Sequence, residues 1–306
     1  MSRPVTPKRW TSILLAGTAA GATLAGSTQA ATDLLLPRAD STEFGTTLAS
    51  GEAGESGEGH AKTEAGESGE SGETAAAAEG GEAGEGGESG ESGALTGIDP
   101  DAAYITRLGL VEGHLIAAQA LYARGMTDAA IALSGHPEAE MMDEVRETLE
   151  ERGAPDFSDA LDNVGMTMAE GVPPAQITDA MARLHAEIVA AEEAADPSPR
   201  TRFEAILALT RAAANGYEGA LDDGAVEDVF GYHESFGFIS VARSMATELA
   251  TAEDPEVAEA AGRVLTALDQ TDAAYGDMIS AELTAGDASL LHGAAAKVEI
   301  ASLRVK

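Results

Sequence analysis

The side chains of this chain that can do chemistry are its histidines and the carboxylates near them. There are six histidines and no cysteine. Imidazole nitrogen and carboxylate oxygen together suit borderline divalent ions such as zinc or iron(II). The missing thiol removes thiolate metal sites, iron–sulfur clusters and disulfides. Three histidines lie on or near apolar helix faces. His114 sits between Leu110 and Leu121 on one row of the segment Tyr104–Gly125. It is either a core histidine bonded to a backbone or carboxylate partner, or a ligand. Glu112 is no partner for it, because helix residues two apart face different ways. His136 precedes Pro137 at an expected helix start, followed by Glu138 and Glu140. Acids in a first turn suit the helix dipole, so capping and ligation both fit.

His233 lies in Val229–Phe238, the densest aromatic stretch, beside Glu234 and between Gly231 and Gly237. Glycine inside a helix is unfavourable by about 0.5–1 kcal/mol, and its usual return is the close approach of a neighbour or ligand. The candidate metal set is therefore His114, His136 and His233, with Glu138, Glu218 and Glu234 completing the shell. Of the other histidines, His185 reads as a solvated edge, and His292, in the terminal helix, has no obvious acidic companion. No His-Glu-x-x-His, nucleophile elbow, P-loop or glycine-rich dinucleotide loop is present. Binding of a divalent metal or small ligand between helices is thus expected rather than catalysis. The alternative is a cell-envelope interaction module that docks another exported protein and has no small-molecule site.

The elements that must position these groups read as all-α. Tyr104, Leu108, Val111, Leu115, Ala118 and Tyr122 step four, three, four, three, four, which predicts one helix face. The row Leu110, His114, Ala117 and Leu121 lies beside it, so the arc is wide enough for several neighbours. Helices are expected over 101–124, 127–134, 137–152, 157–170, 173–195, 200–221, 226–251, 254–276 and 287–304. Gly125, Gly135, Gly153, Gly171, Gly224, Gly286 and several Asp-Pro or Gly-x-Pro pairs punctuate them. Connections this short imply antiparallel bundles.

Laying Tyr104–Gly125 over Phe203–Gly224 matches Leu108 with Leu207, Leu110 with Leu209 and Gly125 with Gly224. An internal duplication follows, with halves at 99–196 and 197–306. Met141, Met142, Met166 and Met168 read as core filler.

Ahead of this body, Arg3, Lys8 and Arg9 precede an uncharged apolar run ending in Thr28-Gln29-Ala30, the pattern of a signal peptide over 1–30. Residues 31–98 form an acidic leader. EAGESGE at 52–58 recurs at 64–70, with EAGEGGE at 82–88, over a Gly-Glu-x triplet. Low hydrophobicity and dense like charge predict disorder there. Extended glutamates three residues apart lie roughly 9 Å from one another, too far to chelate one ion as neighbours. The expected location is the periplasm or outside the cell, with no membrane span after signal removal. The formal net charge of −35 excludes nucleic acid as a partner.

LGLVEGHLIAAQALYARG at 108–125, GHPEAEMMDEV at 135–145 and YHESFGF at 232–238 resemble segments of uncharacterised exported bacterial proteins that join a Gly/Glu-rich leader to a helical domain. In architecture the body is also similar to imelysin-type periplasmic proteins, which are duplicated helical bundles with a Gly-x-His-x-x-Glu metal motif. That motif is not intact here, since Glu234 follows His233 at once and position 236 is phenylalanine.

Overall fold

A computed structural model of the chain describes residues 93–276 and 285–305. The segments read as signal peptide and acidic leader lie outside the described residues, apart from the leader's last few. Within them the chain is all-α: α1 (Pro100–Ala123), α2 (Thr127–Ser134), α3 (His136–Glu140), α4 (Met142–Arg152), α5 (Ser158–Ala169), α6 (Pro174–Glu193), α7 (Pro199–Gly219), α8 (Val229–Leu249), α9 (Pro255–Leu268), α10 (Asp272–Tyr275) and α11 (Ser289–Ser302). A two-stranded hairpin, β1 (Leu221–Asp222) and β2 (Ala225–Val226), joins α7 to α8.

Local chemistry accounts for the helix ends. The Asp99 carboxylate accepts from the amides of Asp101 and Ala102, and Pro100 opens the first turn of α1. At the other end Gly125 takes a positive φ of 82°. The amides of Gly125 and Met126 then reach back to the carbonyls of Tyr122 and Leu121 in a Schellman closure. Ser198, Asp228 and Asp254 cap α7, α8 and α9 in the same manner as Asp99.

Helix α1 is the axis of the body. From Ala102 to Tyr122 every residue but Ala103, Arg107 and Gln119 is buried, as the wide arc requires of a helix with neighbours all round. Those neighbours are α2, α6, α7 and α8. In the first half α1 packs on α2 and α6, and α5 packs on both of those. In the second half α7 packs on α8 and α11, and α9 packs on both. Each half is thus a ring of four helices, and the rings meet where α1 lies against α7 and α8. Two tyrosines tie α1 to its own ring: Tyr104 Oη donates to the Ala191 carbonyl at 2.8 Å and Tyr122 Oη to that of Val172 at 2.6 Å.

Three boundaries differ from those read in the sequence. The span 137–152 breaks at Met141 (φ −137°), so that α3 and α4 aim independently, and Met142, Val145 and Leu149 of α4 turn into the core. The helices expected to reach 221 and to start at 226 give way to the hairpin. Its two-residue turn, Asp223-Gly224, has positive φ at both positions (47° and 83°), the conformation that Asp-Gly favours in a tight hairpin. The span 254–276 leaves α-geometry after Leu268 for one 3₁₀ turn. Met142 and Met168 are core residues as read, Met141 is partly buried, and Met166 is exposed.

Candidate metal centre

The centre is made by the crossing of α1 and α8. Gly113 and Gly237 meet there backbone to backbone: a Cβ on Gly237 would stand 2.0 Å from the Gly113 carbonyl oxygen, and one on Gly113 would stand 2.5 Å from Phe238 Cδ1. No other residue permits that approach. It brings His114, next to one glycine, within reach of Glu234, one turn before the other.

The short helix α3 supplies the remaining groups. Its His136 and Glu140 are four residues apart and share a face. His136 Nδ1 lies 2.8 Å from Glu234 Oε1 and 3.6 Å from Glu140 Oε1. His114 Nε2 lies 3.5 Å from Glu234 Oε1 and 3.8 Å from Glu140 Oε2. One donor atom from each of His114, His136 and Glu234 lies within 4.8 Å of the other two, and no other such trio occurs among the described residues.

The protonation of this group follows from its surroundings. His114 Nδ1 sits 2.8 Å from the Leu110 carbonyl oxygen, which can only accept, so Nδ1 carries the proton. Burial holds His114 below the ordinary histidine range, against the pull of Glu234 and of the Leu110 bond. The ring is therefore neutral, with the Nε2 lone pair presented to the centre. His136 is held above the ordinary range, chiefly by its hydrogen bond to Glu234 and further by the charges of Glu234, Glu140 and Asp228. Burial pushes the Glu234 carboxyl up, but the hydrogen bond from His136 and the nearby His114 and His136 outweigh it and hold the group below the usual carboxylate range. Two aromatic edges close the sides: Phe238 against His114 at 5.3 Å and Phe230 against His136 at 4.9 Å between ring centroids.

Of the six residues read from the sequence as a metal set, the structure brings His114, His136 and Glu234 together. The others lie elsewhere. His233 is buried, but neighbouring residues on a helix point in different directions, and its ring tilts against that of Tyr232 at 5.5 Å. Glu138 points away from its α3 neighbours and pairs with Arg146 of α4. Glu218 takes His292 as its partner at 2.9 Å on an exposed face. His292 thus has an acidic companion where the sequence offered none, because Glu218 comes from another helix.

Glu140 is the group the sequence reading set aside as a dipole-stabilising acid. Its i,i+4 spacing from His136 was the available signal. Likewise His185 is no bare edge residue: its Nδ1 lies 2.7 Å from Glu112 Oε1 on α1. Comparison with protein-family models, with curated proteins and with solved structures finds no match for this chain.

Proposed function

We propose that the protein is an exported, non-enzymatic binder of a borderline divalent cation, held between the two helical rings by His114, His136 and Glu234 with Glu140 beside them. One observation carries the reading: two imidazole nitrogens and a buried carboxylate oxygen from three separate helices converge on one point. The nitrogen–oxygen separations between these two imidazoles and the Glu234 and Glu140 carboxylates, 2.8–3.8 Å, bracket the roughly 3.3 Å between donors on a tetrahedral ion with bonds of about 2.0–2.1 Å.

Charge supports the same reading. Without a cation, a neutral His114 faces two carboxylates, and His136, hydrogen-bonded to Glu234 and held above the ordinary range, carries a compensating proton. A divalent ion displaces that proton and balances both carboxylates. The donor set, two nitrogens and oxygens with no sulfur, suits zinc, iron(II), manganese or cobalt and disfavours copper(I). The Leu110 carbonyl bond is the outer-shell contact that fixes a ligating imidazole in the correct tautomer. An interaction module needs no such convergence of buried polar groups. Export rests on the basic, apolar and small-residue pattern of residues 1–30.

The test uses the full chain purified without chelators, with elemental analysis followed by zinc and cobalt titration. One equivalent of ion, a rise in thermal midpoint with added zinc, and cobalt absorption bands typical of nitrogen and oxygen ligands are expected. All three should be absent from the His114→Ala/His136→Ala double variant, which keeps the acidic leader and so reports any loose binding there. A wild type that behaves like this variant would refute the proposal. For export, the amino terminus of protein recovered outside the cytoplasm should begin near Ala31; uncleaved cytoplasmic protein would count against it.

A further inference from the structure

The four groups of the centre are held with unequal firmness. His114 and Glu234 have side chains 0% and 6% exposed and belong to long helices locked together at the Gly113–Gly237 contact. His136 and Glu140 are 20% and 24% exposed and both belong to α3, a helix of five residues. A helix of that length is not stable by itself, so α3 stays where its contacts hold it. Gly135, its backbone still in the α region, is the one-residue junction that joins it to α2, Met141 breaks it from α4, and no side chain caps its start. Its ties to its surroundings include the burial of Pro137, the His136–Glu234 bond and the ion pair of Glu138 with Arg146, whose Nε is itself anchored on Ser158 Oγ of α5 at 3.1 Å.

We infer that α3 is a movable wall of the centre: it swings away with His136 and Glu140 together, and the ion enters and leaves by that route. The protein is then an exchanging carrier of a borderline divalent ion, not the holder of a permanent structural one. The inference rests on the metal reading above. Its physical basis is that the two exposed donors share one helix face and cannot part company, whereas the two buried donors cannot move. With α3 displaced, His114 Nε2 and Glu234 remain, and two donors are too few for a four-coordinate ion. Opening the wall therefore releases the ion, and closing it completes the shell.

The experiment is zinc release from the loaded full chain to excess chromogenic chelator, followed by stopped flow. Arg146→Ala removes the Glu138 ion pair and should speed release about two- to fivefold, the range set by one partly exposed pair. Glu138→Gln breaks the same pair from the α3 side and should match it, which separates loss of the tie from a fold defect at Arg146. Gly135→Ala should slow release by a similar factor. The backbone at Gly135 is already helical, an added Cβ meets only the Ala132 carbonyl at 3.4 Å, and alanine stiffens the α2–α3 junction.

Amide exchange across 135–141 should slow on zinc loading, while that across 108–118 and 232–240 stays constant. The inference is overturned if the variants bind one zinc and release it at the wild-type rate, or if loading leaves exchange across 135–141 unchanged. A full chain that takes up no zinc overturns the metal reading first, and the inference with it, so the two failures are told apart.

Discussion

The Leu110 carbonyl can only accept a hydrogen bond, so the buried imidazole of His114 must turn its unprotonated nitrogen toward Glu234 and Glu140. A glutamine there keeps polarity but not that nitrogen lone pair. His114→Gln and His136→Gln should each lower zinc affinity at least about 100-fold, beyond the 10–100-fold typical of losing an outer-shell partner. His233→Gln is the matched control on the neighbouring residue of α8. It should leave zinc affinity unchanged and reduce stability by about 1–2 kcal/mol. Equal loss of affinity in His233→Gln, read by competition with a chromogenic chelator, would move the centre along α8 and sink the assignment. The individual groups were legible in the sequence because glycine, aromatic and acid clustered about them. Their pairing was not: His136 meets Glu234 at a separation of 98 residues, and His185 meets Glu112 at 73. No local spacing rule reaches that far. The Glu138/Glu140 choice failed for a different reason: both suit a first turn, and the i,i+4 spacing that puts Glu140 on the face of His136 decides only once His136 is known to belong to the same helix.

Among the elements, the α1–α8 crossing depends on the absence of two side chains. A methyl group on Gly237 would have to occupy space 2.0 Å from the Gly113 oxygen and 2.7 Å from its carbonyl carbon, and backbone atoms cannot rotate away. Gly237→Ala should therefore destabilise the protein by about 3 kcal/mol or more, at the upper end of overpacking effects. Gly262, in the middle of α9, offers the contrast because nothing lies within 4 Å of a Cβ built there. Gly262→Ala should stabilise by roughly 0.5–1 kcal/mol through helix propensity alone. Denaturant unfolding of the two variants should thus give shifts of opposite sign; a tolerated Gly237→Ala would mean that the helices do not touch as described.

The helices themselves were readable from Asp, Ser and Gly at their ends, because capping is a local interaction. The hairpin was not, although Asp223-Gly224 is a hairpin signal. Two-residue strands carry no alternation to detect, and Gly224 reads equally well as a helix stop. The same ambiguity touches the repeat: Gly125 closes a helix whereas its counterpart Gly224 turns a hairpin, while the ring order of the two halves agrees.

Taken as a whole, the molecule has a second polar cluster on the far side of α1, and it too spans the two rings. Glu112 of α1 and His185 and Glu192 of α6 face Arg202 of α7 and Glu248 of α8, with Arg202 Nη1 3.4 Å from Glu192 and 4.0 Å from Glu248. The hydrogen bond to Glu112 raises His185 to about 9, against the opposing effect of burial. Burial raises Glu192, 5% exposed, to about 7, against the charge of Arg202. Both shifts mean that the folded state holds protons the unfolded chain has released, so stability falls as pH rises. For Glu192 the loss runs from about its unfolded value near 4.5 up through about 7. For His185 the contribution is complete below about 6.5 and is lost as pH passes through about 9. Mutual repulsion in a chain of formal net charge −35 acts in the same direction. The zinc-free protein should accordingly melt at a higher temperature near pH 5.5 than near pH 8.5, on the acidic side of the usual optimum of roughly pH 5–8. Glu192→Gln, which cannot ionise, should raise the midpoint near pH 8.5 and flatten the slope between about pH 5 and 7.5, leaving the His185 segment above it. Thermal scans at three pH values on both proteins decide the matter: an unchanged slope in Glu192→Gln would show that the buried carboxyl stays ionised against Arg202 throughout, whatever the opposing contribution of the depressed His114.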